Sequence, residues 1–565
     1  MNRFRWQIGL LILALVIVAV LLLSQQPLLG GITSEPASGG LYIEGLVGSM
    51  GRLNPLLDYV NEVDQDIDAL IFSGLVRFDD RGNPQPDLAE EWGISLDGLS
   101  YNLRLREGVF WHDGEPFTSA DVVFTAHLLS HPDSPIPEDL RQFWESVEVT
   151  AFDDYNIQFQ LNQAFAPFLD YLAVGMLPEH ILADTHPSDL ANTPFNSAPI
   201  GTGPYAIGEI LIAENQITGV VLNAVNNFYL DGPFIDEFVF RYYDNSSDAY
   251  QAYLDGEILG LGYIDQQTLP DVLTDGSLNS FSSRLPQMAI VLLNQNKSSV
   301  PFFKDSELRK ALLNGINRQW LIDEYLGGQG FVANGPILPG TWAYSPVSSA
   351  YDFDLDEAVT GLKAAGYTIP SEGGATRAKD GVFLSFELVH PDTPLHTTLA
   401  QEIQQTWAEL GVSVQLKAVD YDILVSDYLD SRNYEAALVD LSLANSPDPD
   451  PYPFWHQAEA NSGQNYSGWN DRRASVYLEQ ARVSISQRQR ERLYRSFQTH
   501  FNRELPALPL YYPIFNYAIN VQVQGVNVGP LFSPSDRFFN VNEWFLVAQG
   551  VANQEATLDA AQNSE

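Results

Sequence analysis

Apolar residues occupy every second position from Leu99 to Leu105, with polar residues between them. This is the period of a strand with one buried face, and the Asp97-Gly98 pair before it is typical of a tight turn. Thr118 and Asp121 have the spacing of a capping box, and apolar positions after them predict a helix over 121–129. The pattern therefore predicts a strand, tight turns and a capped helix close together in the chain.

Helix-like and strand-like patterns alternate along the rest of the chain. Apolar residues three and four apart predict helices over 306–325, 355–365, 396–410 and 472–504. Short apolar runs predict strands over 157–161, 216–225, 234–242, 383–389, 413–418 and 436–441. Gly366 and Gly411 follow two of the helices, where a left-handed residue ends a helix. This order indicates βαβ-type layers and an α/β protein.

The first residues form a separate segment. Arg3 and Arg5 precede an apolar run over 8–23 that spans about 24 Å as a helix, against about 30 Å for a bilayer core. The residues after the run make a poor cleavage site, and the basic residues before it place the amino terminus inside the cell. We therefore expect residues 1–24 to be an uncleaved signal anchor, with a cleaved signal peptide as the alternative, and the folded part to be extracytoplasmic.

The flanking segments have the composition of spacers. Residues 25–39 are rich in Gly, Ser and Pro and are predicted to be a linker, and residues 548–565 are predicted to be a disordered tail. The net charge of −43, from 29 basic and 72 acidic residues, makes nucleic acid and anionic membrane surfaces poor partners for the folded part. The chain has no cysteine, which excludes disulfides, thiolate metal sites and cysteine nucleophiles.

Several motifs that invite a catalytic or metal-binding interpretation are incomplete. Asp64, Asp66 and Asp68 begin like a calcium loop, but Ala69 replaces the required glycine, so we predict the polar face of a helix. His127 and His131 lack the glutamate of a zinc protease motif. The turn Trp111-His112-Asp113-Gly114 has no nucleophile nearby, and we expect it to be structural, with His112 or Asp113 bonding local backbone. The sequence therefore predicts no catalytic residue, no metal site and no cofactor.

Several motifs follow one another in an order that carries more information than any one of them. They are GRLNPLL at 51–57, LIFSGLV at 70–76, WGISLDGLSYNLRLREGVFWHDGEPFTSADVVFT at 92–125, GTGPY at 201–205, LRKALLNGINR at 308–318, DPD at 448–450 and LPLYY at 508–512. Together they resemble the extracellular solute-binding proteins of family 5, the peptide and nickel receptors of ABC importers. The resemblance covers roughly residues 40–547.

The resemblance implies a two-lobed, periplasmic-binding-protein-like α/β fold of class II, cluster C type, with an additional third domain. Domain I would comprise residues 40–57, 195–284 and 508–547, domain II residues 58–194, and domain III residues 285–507. Two crossings, near Leu285 and Ala507, would form a hinge that permits rigid-body closure around a ligand.

The resemblance also implies a function. The protein would be a monomer that captures short peptides between its lobes and delivers them to ABC permease subunits in the membrane, without covalent chemistry or a cofactor. The alternatives are an oligosaccharide or a metal chelate as the solute, a sensor role, or a secreted glycoside hydrolase that uses two of the many carboxylates.

The resemblance suggests where a ligand would bind. In the family's peptide receptors an acidic residue three positions before the DP pair binds the peptide's amino terminus, and Asn445 occupies that position here. An amide carries no charge and makes a weaker bond with an ammonium group, so Asp448, Asp450 or Asp440 is the alternative source of charge. Further candidates for the cleft are Tyr59 and Asn61, which follow the NPLL motif, and Tyr511 and Tyr512 near the second crossing. Trp342, Trp455 and Trp469 are candidates for its walls, with core or interface packing as the alternative for each tryptophan.

Overall fold

The computed structural model describes residues 38–79, 81–346, 351–371, 373–443 and 447–547. The predicted anchor, most of the predicted linker, the predicted tail and Asn445 lie outside these ranges. Within them, no helix combines the length and apolar character that crossing a membrane requires.

The strands alternate with helices along the chain, as predicted. In chain order the strands are β1 (Leu41–Val47), β2 (Val76–Phe78), β3 (Pro84–Pro86), β4 (Ala89–Ile94), β5 (Ser100–Leu105), β6 (Val147–Ala151), β7 (Asn156–Leu161), β8 (Tyr205–Ala213), β9 (Gln216–Ala224), β10 (Glu237–Tyr243), β11 (Gly260–Leu261), β12 (Leu278–Arg284), β13 (Gln287–Leu293), β14 (Gly330–Val332), β15 (Ala378–Lys379), β16 (Val382–Phe383), β17 (Ser385–Pro391), β18 (Ser413–Val419), β19 (Ala436–Ser442), β20 (Ala507–Asn520), β21 (Val523–Gln524) and β22 (Phe545–Leu546).

The α-helices, also in chain order, are α1 (Glu62–Ile71), α2 (Ser119–Ser130), α3 (Glu138–Glu145), α4 (Glu179–Leu182), α5 (Ser246–Leu254), α6 (Leu269–Thr274), α7 (Ser306–Asn314), α8 (Arg318–Tyr325), α9 (Leu355–Ala364), α10 (Pro394–Glu409), α11 (Tyr421–Ile423), α12 (Tyr452–Trp455), α13 (Arg472–Val483) and α14 (Gln487–Glu504). Short 3-10 segments include Asp58–Val60, Ala166–Leu172 and Pro534–Phe538, and a π-helical turn spans Leu424–Asp430.

Most predicted elements are confirmed to within a few residues, but two predicted helices are each divided. The segment 306–325 breaks into α7 and α8 because Gly315 ends the first helix and the side chain of Asn317 caps the second, accepting from the Trp320 N–H. The segment 472–504 breaks into α13 and α14 at 484–486, where serine and β-branched residues have low helix propensity. The capping box of α2 is confirmed at Thr118 and Asp121.

One path of paired strands runs through most of the molecule, in the order β18-β17-β19-β13-β20-β11-β1-β10-β9-β8. A separate antiparallel sheet, β4-β5-β7-β6, carries the strand predicted over 99–105. The strand β20 lies in the middle of this path and joins its two halves, because residues 507–511 pair with β13 whereas residues 518–519 pair with β11 and residues 514–520 with β12.

The chain crosses between two halves at two neighbouring points. The first crossing is at Leu285 and Pro286, between β12 and β13, and the second is at Pro513, where β20 changes partner. The Leu285 N–H donates to the Pro513 carbonyl oxygen at 2.9 Å, so the two crossings are hydrogen-bonded to each other. We call residues 38–285 and 514–547 the first lobe and residues 286–513 the second lobe. The two-lobed α/β fold is confirmed, with the second change of partner at Pro513 inside β20, while the finer division into three domains stays a prediction.

A fully buried ion-pair network joins distant parts of the first lobe. The guanidinium of Arg537 binds Glu44 on β1 at 2.7 Å and Asp66 on α1 at 2.6 Å, and all three side chains are nearly inaccessible to solvent. The hydroxyls of Tyr42 and Tyr517 donate to the other oxygen of Glu44. The network therefore fixes β1, α1, β20 and the 3-10 turn Pro534–Phe538 against one another.

The structure corrects the predicted role of the acidic residues on α1. Asp64, Asp66 and Asp68 do not form a solvent-facing surface, because all three are buried. Asp64 accepts hydrogen bonds from the backbone N–H groups of Gly51 and Arg52, at 2.7 and 2.8 Å. Asp68 is 3% exposed, and neither of its carboxylate oxygens makes a well-aligned hydrogen bond within the described part of the chain.

Replacing Asp68 with asparagine is expected to stabilise the protein most at high pH. Burial, and then the charges of Asp58 and Asp64, raise the pKa of Asp68, so the folded protein binds a proton that the unfolded chain releases above about pH 4. The contribution of Asp68 to the free energy of unfolding therefore falls as the pH rises above about 4, and an asparagine at this position removes that loss. Urea unfolding at pH 5 and pH 8 should give Asp68→Asn a gain of at least about 1 kcal/mol at pH 8 and a smaller gain at pH 5.

The matched control is Asp189→Asn, which removes an exposed carboxylate of the same lobe and should leave the free energy of unfolding nearly unchanged at both pH values. An equal stability change for Asp68→Asn at both pH values, or a loss at pH 8, would contradict this prediction.

Candidate functional site

The floor of the candidate site is formed where the two lobes meet. The strands β17, β18 and β19 of the second lobe are parallel, and β19 ends beside the double crossing, where the Leu443 N–H donates to the Pro286 carbonyl at 2.7 Å. Asp440 on β19 and Tyr511 on β20 both pair with Ala289 on β13, only three or four residues beyond Leu285 and Pro286. In α/β proteins, ligands bind beyond the carboxyl ends of parallel strands. This edge of the second lobe is therefore the candidate binding surface.

A cavity of about 150 Å³ lies between the lobes. The first lobe contributes Tyr101, Leu169 and Asp170 to its lining, and the second contributes Trp342, Asp448 and Arg490. Pockets that bury a small ligand are typically about 300–1,000 Å³. The space between the lobes would therefore have to widen to admit a solute of several residues.

Two ion pairs fix the DPD loop at the edge of this cavity. Asp448 forms a bidentate ion pair with Arg490 on α14, with Nη2 to Oδ1 at 2.6 Å, and both side chains are buried. Burial lowers the pKa of Arg490, but the Asp448 carboxylate outweighs this, so the net shift is upward and the guanidinium stays charged. Arg490 also lies over the ring of Trp342, with 4.9 Å to the ring centroid.

Asp450 is fixed in the same way by the neighbouring helix. Its carboxylate binds Arg482 on α13 through two nitrogens, at 2.6 and 2.8 Å. The Arg482 guanidinium stacks over Tyr452 at 3.8 Å and lies 5.4 Å from the ring centroid of Phe165 in the first lobe. Both aspartates of the loop therefore have cationic partners, and the loop is held rigidly by α13 and α14.

A direct hydrogen bond connects this loop to the first lobe. The backbone N–H of Asp448 donates to Oδ2 of Asp170 at 2.8 Å. Asp170 lies in the 3-10 segment Ala166–Leu172. Because the bond joins the lobes on the cavity side, it is present only when the lobes are this close together.

The structure places the other predicted site residues in different surroundings. Tyr59 is 47% exposed, and Asn61 caps α1 by accepting from the Val63 N–H. Tyr512 is buried, and its hydroxyl donates to the Gly335 carbonyl at 2.6 Å. Trp469 is 4% exposed and does not line the described cavity.

Trp469 and Trp455 both pack edge-on against Phe501 in the core of the second lobe. Trp342 and Asp448 line the described cavity, and Tyr511 borders the floor. Ligand contact by any of the predicted residues stays a prediction.

The turn that contains His112 makes a longer-range contact than predicted. Nδ1 of His112 accepts from the Gly201 N–H at 3.2 Å, which leaves Nε2 to donate to the Gly203 carbonyl at 3.1 Å. Burial lowers the pKa of His112, which favours this neutral ring. The turn therefore binds the remote GTGPY motif through His112. The predicted local backbone bond is made by Asp113, which accepts from the Glu115 N–H at 3.2 Å, so the structural role expected of this turn is confirmed.

Sequence reasoning missed the partners of the DPD loop. Arg482 and Arg490 lie in the segment predicted as one helix, and their basic character was the only available signal. Nothing in the sequence pointed to the contact of Asp170 with the loop, because its partner is a backbone N–H that is remote in sequence. Among the described residues, no group of three or more His, Cys, Asp or Glu side chains is arranged to hold a metal ion.

Comparisons with known proteins agree with this architecture. The model of "Bacterial extracellular solute-binding proteins, family 5 Middle" matches residues 83–464. The chain is 24% identical over 532 residues to the oligopeptide-binding protein AppA of Bacillus subtilis, covering 91% of this chain and 92% of AppA. It is 26% identical over 470 residues to the dipeptide-binding protein of Escherichia coli, covering 79% and 84% of the two chains.

Solved structures with the same fold include complexes with different solutes. AppA in complex with a nonapeptide superposes with a TM-score of 0.71, covering 91% of this chain and 100% of AppA's, at 24% identity. NikZ from Campylobacter jejuni in complex with Ni(L-His) gives a TM-score of 0.70 at 27% identity, covering 89% and 99%.

Removing the carboxylate of Asp170 is expected to open the lobes. Asp170→Ala deletes the acceptor for the Asp448 N–H and leaves that donor to water, which favours the separated state. Small-angle X-ray scattering of the ligand-free protein should give a larger radius of gyration for Asp170→Ala than for the wild type. Asp189→Ala, at an exposed position of the same lobe, is the matched control. Identical scattering curves for all three proteins would contradict a role of Asp170 in lobe closure.

Proposed function

Because this chain belongs to the bacterial extracellular solute-binding proteins of family 5, we propose that it captures short peptides between its lobes and delivers them to an ABC permease. The observation that carries the proposal is the pair of adjacent crossings at Leu285 and Pro513, which joins two lobes at the floor of one cleft. Relatives over most of the chain's length, named as oligopeptide- and dipeptide-binding proteins, support peptides as the solute.

Closure of the lobes is a shift between two populations. A solute that touches both lobes stabilises the closed state by the contacts it cannot make in the open one. The Asp448–Asp170 hydrogen bond adds to the closed state without involving the solute. A permease that recognises the closed arrangement would then distinguish the loaded protein from the empty one.

The cleft has features that suit a peptide main chain. Its walls carry tyrosine, tryptophan and aliphatic side chains, and water-mediated contacts can accommodate varied side chains without sequence preference. The family consists of binding proteins, and we propose that the solute leaves unchanged.

The proposal also includes a location. The family is extracellular, so the folded part lies outside the cytoplasm. We propose that the apolar run over 8–23 anchors it to the membrane and that the protein works as a monomer, with the sequence as the only support for the anchor.

Calorimetry against a panel of alanine- and phenylalanine-containing peptides of two to five residues tests the solute. Binding of several panel members at micromolar or tighter affinity is the expected result. Nickel–histidine chelates and neutral oligosaccharides complete the panel, because the NikZ structure holds Ni(L-His) and because aromatic rings can stack on sugars. Binding of only a chelate or a sugar would replace the peptide assignment, and hydrolysis of a sugar would favour an enzyme.

The anchor is tested by fractionating cells that express the full chain. Protein that stays with the membrane through an alkaline carbonate wash, and whose amino terminus still includes the apolar run, is the expected result. Deletion of residues 1–24 should release it in soluble form. Mature protein that begins after residue 24 would instead identify a cleaved signal peptide.

A further inference from the structure

The basic residues of this acidic chain are concentrated in one pair of helices. Residues 472–504, which form α13, α14 and the turn between them, hold eight of the 29 basic residues but only three of the 72 acidic ones. All eight are arginines. The helix pair is therefore a positive segment in a protein whose net charge is −43.

Five of the eight arginines have a partner within the chain. Two of them, Arg482 and Arg490, bind the aspartates of the DPD loop. The other three lie where α13 begins and α14 ends, and their partners are a carboxylate or a phenol: Arg472 with Glu479, Arg503 with Glu504 and Arg473 with Tyr477. Contacts inside the protein therefore account for these five.

The remaining three arginines form a stripe along α14. Arg488, Arg492 and Arg495 are exposed, and within the described ranges none makes an ion pair, a side-chain hydrogen bond or a ring contact. Their spacing of four and three residues places them on one face of the helix. At 3.6 residues per turn this face is opposite to that of Arg490, which is buried and lines the cavity. A solute in the cavity therefore cannot neutralise these three residues, which we call the arginine stripe.

The arginine stripe is unfavourable for the helix that carries it. Like charges three and four residues apart repel one another. Arg488 also lies in the first turn of α14, where the helix dipole disfavours a cation. Glu491 is the nearest carboxylate along the helix, and it makes no ion pair with Arg488 or Arg495 in the structure of the described residues. The stability of the fold therefore gives no reason for the stripe.

The geometry of the stripe fits a narrow acidic partner. Its three guanidinium groups are distributed over about 10 Å of helix axis, and each can bind a carboxylate through two parallel hydrogen bonds. An acidic helix with carboxylates at the same three- and four-residue spacing would present one to each arginine. A flat anionic membrane would face a much larger part of a protein of net charge −43, and repulsion would oppose its binding.

We propose that the arginine stripe is a docking site for an acidic helical segment of a partner protein. The stripe faces away from the cavity, so the inference holds for any solute. It goes beyond the proposed capture of peptides, because it adds a second binding surface on the outer face of the second lobe.

The test compares two triple variants that remove the same number of charges from the same pair of helices. Arg488→Gln/Arg492→Gln/Arg495→Gln removes the stripe. The matched control, Arg472→Gln/Arg473→Gln/Arg503→Gln, removes three exposed arginines that have partners. The probe is a fluorescein-labelled, amidated helical peptide of about 20 residues with glutamates at three- and four-residue spacing. The same peptide with glutamine in place of glutamate controls for charge.

Fluorescence anisotropy with the full chain measures binding. The glutamate peptide should bind the wild type and the control variant alike and the stripe variant roughly tenfold more weakly, since three exposed ion pairs each contribute modestly. Its binding should weaken between about 50 and about 150 mM salt, because salt screens exposed charges. The glutamine peptide should not distinguish the three proteins.

Urea unfolding separates docking from a structural role of the arginines. Removing like charges from one helix face should leave the stripe variant at least as stable as the wild type. The control variant should be slightly less stable, because it loses its ion pairs. A stripe variant that unfolds at a lower urea concentration than the control would assign these arginines to the fold and overturn the docking site.

The binding outcomes are equally distinct. Equal losses of glutamate-peptide binding in the two variants would show only a general effect of charge and would overturn the inference. A parallel titration with inorganic polyphosphate that detects binding through the stripe, with none of the glutamate peptide, would assign the stripe to a phosphate polymer instead. Calorimetry with the peptide panel should give the wild-type result for the stripe variant, so failure of docking leaves peptide capture intact, and the reverse.

Discussion

The hydrogen-bonded pair of crossings is the constraint on which the rest of the structure depends. Because Leu285 binds Pro513 directly, the two connections between the lobes lie side by side and act as one axis. Relative motion of the lobes is then largely a rotation about that axis. The row that contains Asp440 and Tyr511 lies next to it and moves little, whereas Asp170 and Asp448, which touch across the cavity, separate when the lobes open. The same axis thus divides the cleft into a fixed floor and a closing edge.

Paired and unpaired charges lie in different parts of the protein. The Arg537 network and the Asp448–Arg490 pair are desolvated, satisfied by bidentate contacts and placed where rigidity is needed. A buried ion pair of this kind gives little net stability compared with apolar packing, but loss of one partner is costly. Asp440 differs because its nearest cationic group is an imidazole that charges only when protonated. Glu44, Asp66, Asp448 and Asp450 are thus paired with arginines, whereas Asp440, next to the crossings, has an imidazole beside it.

Local sequence patterns predicted local structure well, but they could not predict contacts between residues that are remote in sequence. The capping box of α2 could be identified because Thr118 and Asp121 are three residues apart and need no other partner. The acidic repeat on α1 was misassigned because the cation that neutralises Asp66 is Arg537, 471 positions later. The breaks at Gly315 and at 484–486 depend on a few weak helix formers inside otherwise continuous apolar periodicity. The family motifs identified the lobes, but they could not reveal that the DPD aspartates are already paired.

The Arg537 network also bears on the order in which the chain can fold. Glu44 and Asp66 are made early during synthesis, and their cation lies close to the carboxyl terminus of the described residues. Until Arg537 has left the ribosome, burying either carboxylate would leave an uncompensated charge in the core. The first lobe therefore cannot complete its interior during elongation. Such a delay suits an exported chain, because a polypeptide must remain unfolded to pass through a secretion channel. Once Arg537 has also crossed, its ion pairs with Glu44 and Asp66 can form and the first lobe can complete its core.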